Sequence, residues 1–149
     1  MKIKAIREQD IHPAYELTIR HNLEDYILDG WPPTETIDES DCEMIVAFKD
    51  GRYPIGEIDI YHMDEWAYIY KVLTHNLYGE SFPIEFRESM KSMIRTISKI
   101  RGLRGIRYND CDHSHSSVET ERAEILKTTL INECGFKECS KTLLELKLK

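Results

Sequence analysis

Three strand-like segments follow one another in the middle of the chain, and this run restricts the fold more than any other feature. Met44 to Phe48 is an unbroken apolar stretch, and Ile55 to Tyr61 and Ala67 to Leu73 are rich in β-branched and aromatic residues. Asp50-Gly51 between the first two is a hairpin signal, and Asp64-Glu65 provides the next turn. The pattern predicts three consecutive strands.

The residues before this run predict a strand, a helix and a loop. Lys2 to Arg7 alternates apolar and charged residues, as short strands do. A helix pattern then runs from Asp10, which can cap it, through Ile27 to Gly30, which can end it. Residues 31–40 contain two prolines and several acidic residues, so they predict a loop.

The residues after the run predict two more helices and two more strands. The first helix has Ser81 or Phe82 as its cap and Pro83 in its first turn. Its apolar stripe has helical spacing and comprises Phe86, Met90, Met93, Ile94, Ile97 and Ile100. A strand over 103–108, a polar loop over 109–117, a helix ending at Gly135 and a strand over 144–148 complete the series.

The predicted order is therefore β-α-β-β-β-α-β-α-β. This order predicts an α/β protein in which a mixed sheet carries helices on both faces. The sequence has no internal repeat or linker-like tract, and its 149 residues are the size of one typical domain. We expect a single domain over residues 1–149.

Charge and hydropathy exclude several classes of function. The chain has 20 basic and 27 acidic residues, a formal net charge of −7, which disfavours binding to a nucleic-acid backbone. No apolar run reaches the length that spans a bilayer, and Met1-Lys2-Ile3-Lys4 does not begin a signal peptide. We therefore expect a cytoplasmic protein without nucleic-acid or membrane partners.

One polar loop concentrates side chains that can bind metal ions. Cys111, His113 and His115 alternate within it, and Cys and His are good zinc ligands. One short loop rarely surrounds a tetrahedral ion with three ligands, so a solvated polar loop is the favoured interpretation and no metal site is predicted. None of the four cysteines forms a C-x-x-C pair, and we expect them to be reduced.

The element order resembles that of the GNAT family of N-acetyltransferases over essentially the whole chain. The best local match is Ile131 to Glu138, with its Gly135-Phe136 junction, followed by Thr142 to Leu146. These segments look like the family's final helix and last strands. Ala67 to Leu73, the residues that follow it and the helix over 86–100 look like the family's acetyl-CoA-binding unit.

The resemblance implies acetyl-CoA as the cofactor, held at a glycine-rich turn whose backbone N–H groups face the pyrophosphate. Here that turn, Tyr78 to Ile84, has one glycine, Pro83 has no N–H to donate, and Glu80 brings a negative charge. The residues that the resemblance assigns to cofactor binding are Val72, Leu73, Tyr78, Gly79, Ser81 and Phe82.

The resemblance also implies a general acid and a general base. Many family members have an asparagine eleven residues before the glycine of the junction and a tyrosine four residues before it, and that tyrosine acts as the general acid. These two positions are Glu124 and Ile131 here. Ile131 has no proton to donate. The candidate bases are Glu57, Tyr70 and His75, with Asp59 and Tyr68 as neighbours on the same strands; solvated or packing roles for these side chains remain alternatives.

Two functions follow as hypotheses. The first is a divergent N-acyltransferase that moves an acyl group from acyl-CoA to an amine on a small molecule or protein, with the Trp31-Pro32-Pro33 loop shaping the acceptor pocket. The second is a protein of the same fold that has lost its catalytic activity and acts as a binding or assembly factor for another macromolecule. That alternative resembles small internal or assembly proteins of T7-like phages. No pattern predicts an oligomeric state.

Overall fold

The computed structural model describes residues 2–23, 25–29, 38–109 and 117–148. For residues 25–29 and 117–120 it describes the backbone only. The eight strands and three helices of these ranges are β1 (Ile3–Arg7), α1 (Glu16–Asn22), β2 (Asp25–Asp29), β3 (Cys42–Lys49), β4 (Tyr53–Met63), β5 (Trp66–Thr74), α2 (Phe82–Ser98), β6 (Gly105–Asn109), α3 (Ser117–Cys134), β7 (Lys137–Glu138) and β8 (Leu143–Lys147).

The strands form one mixed sheet in the order β1-β3-β4-β5-β6-β8-β7, with β2 paired to β5 beside this path. Only β5 and β6 run parallel among these pairs. The predicted run of three strands is confirmed as β3, β4 and β5. Asp50 and Gly51, and likewise Asp64 and Glu65, have positive φ angles, as the two central residues of a type I′ hairpin turn require.

The helices lie on both faces of the sheet, as the order of elements predicted. Alternate residues of β3 point to opposite faces. Ile45 and Ala47 belong to the larger core, which α2 and α3 cover. Val46 and Phe48 belong to a second core with Ile19 of α1. The predicted stripe of α2 is confirmed, since all its members from Phe86 to Ile97 are buried.

The sheet splits along β5. The first half of this strand, from Trp66 to Ile69, pairs with β6. The second half, from Lys71 to Thr74, pairs along the same side with β2, while β4 pairs with β5 over its whole length. The split positions the candidate site described below.

The helix predicted from Asp10 to Gly30 is wrong over most of its length. Only Glu16–Asn22 is α-helical; two 3₁₀ turns precede it, and the chain leaves the helix at Leu23. Tyr26 and Ile27 lie on β2 instead, because the free side of β5 offers backbone hydrogen bonds that local helix propensity does not anticipate. Strand β7 is absent from the order predicted from the residue pattern, although the resemblance implied more than one strand after the final helix.

The remaining boundaries differ by one or two residues. The strand predicted over 103–108 is β6, Gly105–Asn109, and the last helix ends at Gly135, whose φ of +82° stops it. The Trp31 loop and the Cys111, His113 and His115 loop lie outside the described residues. Within the described ranges, no helix is long and apolar enough to cross a membrane.

Candidate active site

A cavity of about 580 Å³ lies between α1 and the sheet, and we name it the α1 cavity. Its aliphatic wall comes from the 3₁₀ turns, α1 and the sheet, and consists of Ile11, Pro13, Ile19, Leu23, Met44 and Leu73. Glu57 of β4 lines it and is only 8% exposed. Glu8 and Glu16, both exposed, line its outer part together with Arg20, and Lys71 lines it from β5. The cavity thus combines an aliphatic wall with three carboxylates.

Glu57 and Asp59 form a carboxyl pair, because residues two apart on a strand share one face. Burial raises the pKa of Asp59 to about 9, and a hydrogen bond to Glu57 adds to the shift. Two adjacent buried carboxyl groups cannot both ionise cheaply. Asp59 therefore keeps its proton at neutral pH and donates it in a hydrogen bond to Glu57. Its other oxygen, Oδ1, is buried and has no hydrogen-bond partner.

Tyr70 lies beside this pair, at the point where β5 passes from β6 to β2. Burial raises the pKa of its phenol, and the nearby Asp59 carboxyl raises it further. The hydroxyl forms a hydrogen bond with the thiol of Cys42, whose pKa burial also raises. Tyr70 is therefore a neutral phenol that can donate a hydrogen bond but cannot serve as a base near neutral pH.

A second cavity, also about 580 Å³, lies on the other face of the sheet between α2 and α3, and we name it the α2–α3 groove. Leu77, Phe82 and Phe86 form its apolar floor, and Phe82 and Phe86 are stacked with 5.1 Å between their ring centroids. Two arginines line the groove: Arg122, whose Nη2 lies 3.5 Å from the hydroxyl of Tyr78, and Arg87. Three glutamates line it as well. Its chemistry is that of an apolar slot with charged walls.

In the turn that joins β5 to α2, some backbone N–H groups already form hydrogen bonds within the turn. The N–H of Gly79 donates to the carbonyl of Asn76 at 2.9 Å, and the N–H of Phe82 donates to Gly79 at 3.1 Å. Pro83 has no N–H. The Asn76 side chain lies against Gly79 so closely that a Cβ there would be 2.2 Å from its Nδ2. This turn therefore presents fewer free N–H groups than a glycine-rich cradle.

A buried carboxylate, Glu85, lies in the first turn of α2 and was missed by the sequence reasoning. It is 2% exposed and contacts Lys49 at 2.7 Å and His75 at 3.1 Å, and it accepts a hydrogen bond from Ser81 at 2.8 Å. Burial alone would raise the pKa of Glu85, but the bonds from Lys49 and Ser81 and the His75 charge outweigh it, and the pKa is lowered. Glu80, by contrast, is exposed.

His75 is held by oxygen atoms on both sides of its ring. Its Nδ1 lies 3.1 Å from the carbonyl oxygen of Ile55, and its Nε2 lies 3.1 Å from Glu85. Through these two contacts His75 joins the end of β5 to the start of α2.

The structure separates the residues that the resemblance assigned to cofactor binding. Tyr78 and Phe82 line the α2–α3 groove, and Gly79 and Ser81 lie in the adjoining turn. Leu73 lines the α1 cavity instead. Val72 is fully buried in the larger core, because its side chain points away from that cavity.

Among the candidate bases, Glu57 and Tyr70 lie on one side of the sheet, and His75 lies past the end of β5. Several residues of the two cavities were not singled out from the sequence, namely Glu8, Glu16, Lys71, Arg87, Arg122 and Ile125. For Glu85 a signal was available, since it shares a helix face with the buried Phe82 and Ser89. On α3, Glu124 is exposed at the groove and Ile131 packs on the core.

Within the described residues, no group of three or more His, Cys, Asp or Glu side chains is arranged to hold a metal ion. The Cys111, His113 and His115 loop lies outside these residues, so its metal binding stays untested.

Comparison with solved structures identifies the fold. A GNAT-family acetyltransferase of Staphylococcus aureus is 13% identical, with 99% of this chain and 100% of that chain covered at a TM-score of 0.59. The protein YhhK of Escherichia coli, solved bound to coenzyme A, is 10% identical, with 99% of both chains covered at 0.56. Spermidine N-acetyltransferase of Vibrio cholerae, solved with CoA and spermine, is 13% identical, with 99% and 95% covered at 0.52.

No protein-family model matches the sequence, and no curated protein matches it either. The chain has the GNAT fold, with the mixed sheet and flanking helices that the sequence predicted.

Proposed function

We propose that the protein is an N-acyltransferase that transfers an acyl group from acyl-CoA to an amine, with Glu57 as the general base. The observation that carries this proposal is the position of Glu57. It is a buried carboxylate on the wall of a ligand-sized cavity. It lies directly across from Leu73, on the half of β5 that does not pair with β6.

In this proposal, acyl-CoA supplies a thioester carbonyl that the amine attacks, and the protein manages the proton. The amine nitrogen lies in the α1 cavity, and the Glu57 carboxylate accepts its proton. Asp59, which stays protonated because of burial and the adjacent Glu57, donates a hydrogen bond that holds the Glu57 carboxylate in place. As the amide bond forms, the C–S bond breaks and CoA leaves as the thiolate, because Ile131 offers no proton to it.

The chemistry of the α1 cavity favours an amine with an aliphatic stem. Five apolar side chains and one proline ring form the wall, and they match methylene groups by the hydrophobic effect. Glu16 is already paired with Arg20 at 2.8 Å, so Glu8 is the carboxylate at the outer part that favours a second positive charge on the acceptor. We therefore propose an alkyl amine, free or on a protein side chain, as the acceptor class.

The α2–α3 groove fits the acyl-CoA. Phe82 and Phe86 provide apolar surface for its arm and ring system, and Arg87 and Arg122 provide positive charge for its phosphates. Tyr78, which is 76% exposed, adds an aromatic face at the entrance. The fit depends on these side chains more than on the turn, since Gly79 and Phe82 have already donated their N–H groups.

The turn also favours the second candidate function, a non-catalytic binding or assembly factor. Two N–H groups of the turn are already hydrogen-bonded, one residue is a proline, and the following helix carries a buried glutamate. The turn therefore has few N–H donors for a pyrophosphate. If this candidate is right, the protein binds no acyl-CoA.

One experiment separates the two candidates. Acetyl-CoA is titrated into the protein in a calorimeter, and acetylation of an alkyl amine is followed by mass spectrometry. The proposal expects saturable binding below millimolar concentration and an acetylated product. Glu124→Trp, which fills the groove, is expected to abolish the binding heat, whereas Glu138→Trp on exposed β7 lines neither cavity and leaves it unchanged. Absence of saturable binding by the unmodified protein refutes the proposal and favours the second candidate.

A further inference from the structure

Strand β2 covers the part of β5 that faces the split in the sheet. Along this side of β5, β6 pairs as far as Ile69 opposite Tyr108, and β2 pairs from Lys71 to Thr74. After Tyr108, β6 continues beside β8, with Asn109 opposite Leu143. Where β6 separates from β5, the exposed backbone edge of β5 is therefore occupied by β2.

This strand lies between the two cavities. The α1 cavity is on one face of the sheet, and the α2–α3 groove is on the other. Glu57, Leu73 and Tyr26 stand in one row across β4, β5 and β2. β2 also lies against α3. A ligand that extends from the groove to Glu57 has to pass the position that β2 holds.

β2 is weakly held compared with its neighbours. It has five residues, and its ladder with β5 is interrupted by a register shift between Tyr26 and Leu28. Among the described strands, it pairs with β5 alone, whereas β4 is paired on both sides. Short ladders with a bulge open more readily than long regular ones.

We infer that β2 is a displaceable strand that closes the passage between the α2–α3 groove and the α1 cavity, and that acyl-CoA binds by replacing it on β5. The inference rests on the proposed function. The arm of acyl-CoA is extended and carries two amide groups, which can take over backbone hydrogen bonds of a strand edge. Exchanging one set of such bonds for another changes their free energy little, so ligand binding can drive the exchange.

A reversible disulfide between β2 and β5 tests the inference. Leu28 and Val72 are directly opposite each other, and facing residues of antiparallel strands have Cα atoms about 4.5–5.5 Å apart, within the range that a disulfide bridges. The double variant Leu28→Cys/Val72→Cys is oxidised, its bridge is mapped by peptide mass spectrometry, and acetyl-CoA binding is measured before and after reduction. The two single-cysteine variants are controls for the substitutions.

The expected result is that the oxidised double variant binds acetyl-CoA at least about tenfold more weakly than the reduced form, because the competent state is locked out. The single variants are expected to bind equally with and without reductant. Equal binding by the oxidised and reduced double variant refutes the closing role of β2 and leaves the proposed function standing. Absence of binding by both the reduced variant and the unmodified protein refutes the proposed function, and the closing role with it.

A second variant acts in the opposite direction and does not require the core position 72. Leu28→Pro breaks the ladder of β2 with β5, since proline has no N–H to donate and is poorly accommodated in strands. Acetyl-CoA is expected to bind this variant more tightly than the unmodified protein, because less of its binding free energy is needed to displace the strand. Unchanged or weaker binding by a folded Leu28→Pro protein contradicts the inference.

Discussion

Replacing Asp59 by asparagine is expected to stabilise the protein at neutral pH, because it keeps the hydrogen bond to Glu57 without the need to bind a proton. Burial and the adjacent Glu57 raise the pKa of Asp59 to about 9. In the unfolded chain the same carboxyl ionises near its model value of 3.8. Folding at pH 7 therefore requires Asp59 to take up a proton, and this uptake opposes folding. Asparagine has the same shape, donates the same hydrogen bond and needs no proton.

The magnitude follows from the linkage between proton binding and folding. Between the unfolded pKa and pH 7 lie roughly three pH units, and each is worth about 1.4 kcal/mol, which sets an upper limit of about 4 kcal/mol. Lys71, whose charge acts in the opposite direction, and relaxation around the pair reduce this limit. We expect Asp59→Asn to raise the free energy of unfolding by about 1–3 kcal/mol at pH 7.

The sign of the pH dependence is the sharper test. A group whose pKa is raised on folding contributes full stability below its unfolded pKa and loses that contribution as the pH rises towards the folded pKa. The difference between Asp59→Asn and the unmodified protein is therefore small near pH 4 and grows up to about pH 9. Urea unfolding at several pH values measures it. A variant that is less stable at pH 7, with a pH-independent difference, would mean that Asp59 is ionised and paired with Lys71.

Two further predictions concern the other acidic side chains. Glu85→Gln is expected to lower the free energy of unfolding by about 1–3 kcal/mol at pH 7. Because the pKa of Glu85 is lowered on folding, this loss of stability shrinks as the pH falls below about 4. Acid titrations of both proteins, followed by circular dichroism, measure the trend. A loss that does not depend on pH contradicts the prediction. Glu8→Gln is expected to raise KM for a diamine by about three- to tenfold with little effect on butylamine in the same kinetic assay. Equal effects on both amines would contradict the proposed contact with a second positive charge.

The central part of the fold could be predicted because its signals are local. The turn residues Asp50-Gly51 and Asp64-Glu65 adopt the positive φ angles that their hairpins need, and the stripe from Phe86 to Ile97 is buried as its spacing indicated. Each of these signals depends on a few neighbouring residues. They could therefore be read before any tertiary contact was known.

The strand β2 could not be predicted because its cause is not local. Tyr26 and Ile27 continue a helical spacing that starts before α1, yet they lie on β2, which pairs with the distant β5. The separation of β6 from β5 leaves an edge of β5 with which β2 can pair. No residue near position 26 indicates in the sequence that this edge exists. Local spacing and tertiary pairing conflict here, and the pairing prevails.

The candidate site was found in part. Glu57 was selected because the resemblance implies a general base on the central strands, but its alternation with Ile58 is equally typical of a solvated face. Its 8% exposure depends on α1 and the 3₁₀ turns that cover it. The groove residues of α3, such as Arg122 and Ile125, could not be identified because they meet α2 only in the tertiary structure.

The rate of acyl transfer by Glu57→Gln tests the proposed function most directly. Glutamine keeps the size of the side chain and its contact with Asp59 but cannot accept a proton from the amine. With acetyl-CoA and an alkyl amine at saturation, kcat is expected to fall by about 100-fold or more, while the calorimetric Kd for acetyl-CoA changes by less than about twofold. The exposed Glu138→Gln on β7 provides the matched control and is expected to keep full activity. A Glu57→Gln protein that turns over within a few-fold of the unmodified protein would contradict the assignment of Glu57 as the base.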